Sequence, residues 1–165
     1  MQGLMMDFPL TITSIMEHAE RVHGAQEIVS VTRDNPRHRY TYADAFGRVR
    51  QLANAMNAWG MASSDRIATL AWNDYRHFET YYASACSGYV CHTINPRLFP
   101  EQIVYIINHA EDQFVFLDPD FWPLIEQVAP QCPGVKGWVV MTTAEHMPET
   151  TLTNVHCYED VIANQ

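Results

Sequence analysis

Residues 66–118 read RIATLAW, NDYRHFETYYASACSG, YVCHTI, NPRLFPEQIVYIINHAED, QFVFLD, and the alternation of period along them decides the fold. Arg66 to Trp72 is apolar except at Arg66 and Thr69, the pattern of a strand buried on both faces. From Asn73 the period changes. Phe78, Tyr81, Tyr82 and Ala85 recur at helical spacing as an inward stripe, Asn73 or Asp74 caps the start, and Gly88 stands where a left-handed C-terminal residue belongs. Tyr89 to Ile94 is the second strand. Pro96 and Pro100 bracket a tight connection, with Pro100 at the first helical position, and Ile103, Ile106, Ile107 and Ala110 line the second helix. Phe114 to Leu117 closes the unit. Two helical crossovers between buried strands predict a right-handed, mainly parallel α/β layer, a three-layer fold with helices on both faces.

Outward from this core, Thr11 to Gly24 is predicted as an opening helix with Ile12, Ile15, Met16, Ala19 and Val22 on its apolar face. Glu27 to Thr32 and His38 to Tyr40 form a hairpin across Arg33-Asp34-Asn35-Pro36-Arg37. Thr41, with Asp44 three residues on, caps a long helix that ends at Gly60, and Ala45, Val49, Leu52, Ala53 and Met56 face inward. Past Asp118, the residues Phe121, Leu124, Ile125 and Val128 mark a helix, and Trp138 to Met141 a further strand. Thr142 to Asn154 is rich in Thr, Glu and Pro and predicts a surface loop; a short helix follows over His156 to Ile162. The chain divides as 1–65 (opening helix, hairpin and long helix), 66–141 (βαβαβ-type core) and 142–165 (linker), all within one N-terminal subdomain.

The 165 residues carry a net charge of −9 and a single lysine, Lys136, which argues against a nucleic-acid surface. No apolar run reaches the length of a membrane span, and the N-terminus lacks the basic flank of a signal peptide. Four cysteines without a secretory signal point to reduced thiols and a cytoplasmic protein.

Candidate chemistry is sparse. Cys86, Cys91, His92, His156 and Cys157 lack the paired spacing of a zinc knuckle, so they are assigned as ordinary thiols and imidazoles and no metal site is expected. Cys91 and His92 are strand neighbours on opposite faces and form no nucleophilic pair. Asn73, Asp74, Arg76, His77 and Glu79 gather at the carboxyl end of the first core strand, where open α/β sheets bind ligands. Capping accounts for Asn73 or Asp74, and the others are expected on a solvated face. Arg97, in the next carboxyl-end loop, holds an anion or pins the loop. None of the seven glycines falls in a phosphate-binding pattern. No catalytic, cofactor-binding or metal residue is therefore assigned.

TLAWNDYRHFETYYA, then VCHTINPRLFPEQIVYIINHAED and an apolar strand ending at Asp118, resemble the N-terminal region of acyl-CoA synthetases of the adenylate-forming (AMP-binding) superfamily. The medium- and long-chain fatty-acyl-CoA ligases and the 3-methylthiopropionyl-CoA ligases are the nearest branches. The similarity runs from MQGLMMDFPLTI to the strand near Trp138 to Val140. It implies a parent enzyme that uses ATP and Mg to convert a carboxylic acid to an acyl-adenylate and then to its CoA thioester. The family's YTSGTTGxPKG loop is not among these residues, so the chain is expected to be the front part of such a ligase and inactive alone. Its expected partners are the rest of its own polypeptide and, since some members pair through the N-terminal segment, a second copy. Some relatives place CoA-contacting arginines after the strand corresponding to Phe114–Leu117; Asp118, Pro119, Asp120, Phe121 and Trp122 stand there, so that contact is not carried over. Phe99 replaces the usual helix cap and is expected to pack inward. The rival expectation is a stand-alone interaction or small-molecule-binding module on the same scaffold.

Overall fold

The computed structural model describes residues 6–165; residues 1–5, used in the resemblance and in the leader argument, lie outside them. The elements are α1 (Ile12–His23), β1 (Glu27–Ser30), β2 (His38–Thr41), α2 (Tyr42–Ala58), β3 (Arg66–Leu70), α3 (Tyr75–Cys86), β4 (Val90–Thr93), α4 (Pro100–Ala110), β5 (Phe114–Leu117), α5 (Trp122–Val128), β6 (Gly137–Val140), β7 (Val155–Cys157) and α6 (Tyr158–Ala163). β1 and β2 form an antiparallel pair, and the other five strands form one parallel sheet in the order β4-β3-β5-β6-β7. This is the expected α/β architecture.

Two apolar clusters sandwich the sheet. Phe46, Leu52, Met56, Phe116 and Val139 belong to the α2 side, while Leu70, Ile103, Ile107, Leu117 and Ile125 belong to the α4–α5 side. Alternate residues of β5 serve the two clusters, and all four are buried, because a central parallel strand is covered on both faces. The α2 cap is a full capping box: Thr41 Oγ1 accepts from the Asp44 N–H, and Asp44 accepts from the Thr41 N–H. Gly60 and Gly88, at φ +74° and +79°, supply the left-handed residues that turn the chain after α2 and α3. Trp59 stacks on Phe114 at 4.5 Å and closes the end of the core.

Several expectations are corrected here. The apolar stripe of α1 buries only Met16; Ile12, Ile15 and Val22 are exposed because α1 lies on α2 and α3 along a narrow line. Phe99 does not pack inward: its side chain is exposed, and α4 begins with only the return bond from Phe99 N–H to Gln102 Oε1. The stripe Phe78, Tyr81, Tyr82, Ala85 is not the inner face of α3. Tyr81 and Ala85 are exposed, and Arg76, Glu79, Thr80, Ala83 and Ser84 are buried instead. The stretch from Val155 opens as strand β7, registered with Trp138 to Val140, before α6 begins at Tyr158.

Candidate functional site: the carboxyl edge of the sheet

β3, β5 and β6 end side by side. Their continuations are locked by bonds from Asp118 N–H to Leu70 O (3.1 Å) and from Met141 N–H to Leu117 O (2.8 Å). The Asp118 carboxylate reaches back across this edge and accepts the Trp72 N–H at 2.5 Å. A cavity of about 380 Å³ opens above these ends, with Trp72, Asp74, Arg76, Asp118 and Thr142 among its lining and the β1–β2 loop, through Asp34, as its far wall. Burial, opposed by the Trp72 N–H and reinforced by Asp74 and Asp120, pushes the Asp118 carboxyl up to about 7.

Arg76, expected at the surface, is the best-buried cation of the chain. Its Nη atoms make a bidentate pair with Asp34 (2.9 and 3.1 Å), Nη1 also donates to Met141 O, and Nε donates to Glu159 at 2.7 Å. Its guanidinium carbon lies 4.7 Å from the Tyr75 ring centre. Arg48 joins the same network, bonding Glu159 at 3.0 Å and Glu79 at 2.8 Å, and the Tyr158 hydroxyl donates to Glu79 at 2.7 Å. Burial works to raise the carboxyl groups of Asp34 and Glu159, but their arginine partners outweigh it; Asp34 is held down at about 2. For the fully enclosed Glu79, burial wins over Arg48 and the tyrosines, and its carboxyl is pushed up. The network is fully partnered at Arg76, so its chemistry is that of a clamp and not of an open anion site.

Asn73 is exposed, and Asp74 is the cap of α3, accepting from the His77 N–H at 3.0 Å. His77 bonds Trp72 O and Thr69 Oγ1, both at 3.1 Å, and burial lowers its pKa, so it is a neutral ring bracing the β3–α3 turn. Arg97 is exposed; its N–H closes a turn on Asn95 Oδ1, and its side chain makes no ion pair among the described residues. His92 pairs with the buried Asp112 at 2.9 Å, away from the carboxyl edge. Cys86 lies against Met16, and the Cys157 thiol donates to Thr142 O. Among the described residues no group of three or more His, Cys, Asp or Glu side chains converges as metal ligands. The residues that sequence reasoning passed over are Asp34, Arg48, Asp118 and Glu159. Asp118 alone carried a signal, as a carboxylate directly after a fully apolar strand.

A second concavity, about 570 Å³ and mainly apolar, lies between α1, β1 and α3, with Ile12, Ile28, Phe78, Tyr81 and Tyr82 in its wall. Of the described residues, no helix is long and apolar enough to cross a membrane.

Comparison with known proteins places this geometry. Residues 16–160 match the family model described as AMP-binding enzyme. The chain is 46% identical to a medium-chain-fatty-acid–CoA ligase of Ectopseudomonas oleovorans and 44% identical to a 3-methylmercaptopropionyl-CoA ligase of Ruegeria lacuscaerulensis, over 98% of its own length and 30% of theirs in both cases. A long-chain-fatty-acid–CoA ligase of Thermus thermophilus is 39% identical over 98% of this chain and 29% of its own. Among solved structures, the anthranilate CoA ligase AuaEII in complex with anthranoyl-AMP superposes with a TM-score of 0.77 at 19% identity, covering 96% of this chain and 29% of that one; this likeness concerns the fold. The chain thus spans about a third of the length of the curated relatives it matches. With 145 consecutive positions under one family model and the parallel sheet to match, the chain belongs to the AMP-binding enzyme family.

Proposed function

We propose that this chain is the N-terminal part of an ATP-dependent acyl-CoA synthetase, which activates a fatty or related carboxylic acid as its acyl-adenylate and transfers the acyl group to CoA. The observation that carries the reading is the 46% identity to a medium-chain ligase across 98% of the chain. ATP, Mg and CoA are the cofactors and co-substrate of that reaction. In it, Mg neutralises phosphate charge and the enzyme supplies donors for the charge that develops on the reacting oxygens. Within these 165 residues no glycine pattern offers a backbone cradle for phosphates, so the chain's share is scaffold: one subdomain, residues 1–165, whose parallel sheet includes β7 and helps support the acyl pocket.

A homodimer contact through the N-terminal segment is part of the proposal. Met6, Phe8, Leu10, Ile12 and Ile15 all expose apolar side chains, and Ile12 stands in the wall of the apolar groove. Cytoplasmic residence is supported by four free cysteines.

The test is ATP–pyrophosphate exchange and thioester formation, with medium-chain and long-chain fatty acids and 3-methylthiopropionate offered in turn. The protein carrying the ATP-binding region is expected to turn over at least one of them, and the 165-residue chain none. Exchange with no carboxylic acid by the complete protein overturns the assignment, as does exchange by the short chain alone.

A further inference from the structure

His38 opens β2 and lays its ring flat on Tyr75 of α3, with centroids 3.6 Å apart and planes 8° from parallel. Tyr75 is itself fixed. Its hydroxyl donates to Glu159 at 3.0 Å, and the guanidinium carbons of Arg76 and Arg48 lie 4.7 and 5.6 Å from its ring centre. The stack therefore presses a histidine of the hairpin into a region that already holds two permanent cations.

The two ring nitrogens show which protonation state fits there. Asn35 Oδ1 accepts the Arg37 N–H at 3.2 Å, which turns the Asn35 amide nitrogen toward His38 Nδ1 at 3.5 Å. Nδ1 faces a donor, so it is the acceptor nitrogen, and the proton of the neutral ring sits on Nε2. Nε2 is shut off from solvent and has no hydrogen-bond partner among the described residues. A second proton would go to Nδ1. It would set one donor against another at Asn35, leave a charged Nε2–H without an acceptor, and add a third cation near Arg48 and Arg76. The closed hairpin has a place for imidazole and none for imidazolium.

We propose that His38 is a proton-operated latch, which holds the β1–β2 hairpin on α3 while neutral and releases it on taking up a proton. The hairpin supplies Val31, Thr32, Arg33 and Asp34 to the cavity at the carboxyl edge, so the latch governs one wall of that cavity. It is independent of the reaction proposed above.

The charged and titratable groups around the ring are Arg37, Arg39 and Tyr40 along its own strand, Asp34 in the turn, Arg48 from α2, Asp74, Tyr75, Arg76 and Glu79 from α3, and Glu159 from α6. Asp34, Glu79 and Glu159 are each bonded to Arg48 or Arg76, and Arg39 to Glu27. Burial and the charges of Arg48 and Arg76 lower the His38 pKa from its ordinary 6.5; Glu159 and Asp74 oppose them without reversing the direction. A histidine lowered on folding contributes stability that is present above about 6.5 and lost as pH falls below it, so release comes with acid.

The test is nuclear magnetic resonance of the protein between about pH 5 and about pH 8, reading the His38 ring nitrogens and the exchange of the hairpin amides, corrected for its intrinsic pH dependence. We expect the Nε2–H form at neutral pH and a His38 midpoint below 6.5. Protection of the β1–β2 amides should fall by up to about tenfold per pH unit on acidification below about 6.5. His38→Phe keeps a flat ring on Tyr75 and takes no proton, so its hairpin protection should not change with pH. Asn35→Asp puts an acceptor opposite Nδ1 and should raise the His38 midpoint by about one unit and remove most of the acid release. A midpoint at or above 6.5 in the wild type, a neutral ring protonated at Nδ1, protection indifferent to acid, or acid release that persists in His38→Phe overturns the proposal. Asn35 is exposed, so Asn35→Asp decides the matter if His38→Phe fails to fold: an unmoved midpoint there overturns it as well.

Discussion

Arg76 and Glu159 stand 83 positions apart and meet through a 2.7 Å bond from Nε to carboxylate. The same guanidinium grips Asp34 of the hairpin loop and the carbonyl of Met141 after β6. One side chain of α3 thereby fixes the hairpin, the edge of the sheet and the terminal helix relative to one another. The apolar clusters hold the layers together, and this ionic clamp holds the ends of the chain to them.

Removing the cation leaves the Asp34 carboxylate, 5% exposed at its side chain, without its counter-charge. Arg76→Met should therefore cost about 3–5 kcal/mol, the usual penalty for breaking one side of a buried ion pair. Urea unfolding of wild type and variant measures it. A shift below about 1 kcal/mol, the range of exposed pairs, would mean that the clamp is ornamental.

The Tyr158 hydroxyl and Glu79 make a second prediction. Both residues are fully buried, and the hydroxyl donates to Glu79 Oε2 at 2.7 Å. Tyr158→Phe keeps the ring that packs on Phe116 and deletes only the donor. The orphaned carboxylate oxygen should cost about 1–3 kcal/mol, read from the same unfolding curves.

What the sequence made legible follows from what hydrophobic patterning can report. β3, β5 and β6 are apolar runs, and α2 has a cap and a stripe, so both periodicities were plain in the chain. The face of α3 was misassigned because its buried side is Arg76, Glu79, Thr80 and Ser84, and patterning finds buried faces only where they are apolar. The partners that make that burial tolerable, Asp34, Arg48 and Glu159, lie 42, 31 and 83 positions away from the residues they bind, a distance that no local window spans. β7 is three residues with a histidine at its centre, too short to show a period, and only its pairing to β6 makes it a strand. At the carboxyl edge, the topology rule pointed to the loops that follow the strands and not to Asp118, whose place is fixed by the Trp72 N–H it accepts.

Asp118 sets a pH dependence whose sign follows from linkage. Its carboxyl is raised from 3.8 to about 7 on folding, so between those values the native state binds a proton that the unfolded chain has lost. Stability from this group is present at low pH and declines as pH rises from about 4 to about 7, with a slope of at most about 1.4 kcal/mol per pH unit. Asp118→Asn should remove that decline. Asp34 acts in the opposite sense at lower pH: its depressed carboxyl contributes stability that fades only as pH falls toward about 2. Unfolding free energies of wild type and Asp118→Asn across this window separate the two; parallel curves would refute the Asp118 contribution.

Phe99 offers the opposite kind of change, a gain. It occupies the cap position of α4 with an extended backbone at φ −66° and ψ 150°, its ring is 73% exposed, and no side chain accepts an N–H of the first turn, where the Gln102 N–H donates only to Phe99 O at 2.9 Å. Half of a capping box is already in place, because Gln102 Oε1 accepts the Phe99 N–H at 3.1 Å. Serine or aspartate at this position completes the box by accepting the Gln102 N–H, and aspartate adds a favourable charge at the positive end of the helix. Phe99→Ser and Phe99→Asp should therefore stabilise the protein by about 0.5–2 kcal/mol, since little buried apolar area is given up in exchange. Thermal unfolding of the two variants beside wild type measures the gain. A lower melting temperature in both would show that the exposed ring makes a contact in solution that outweighs the cap, and would direct attention to the neighbouring shallow concavity lined by Leu98, Tyr105 and Ile106.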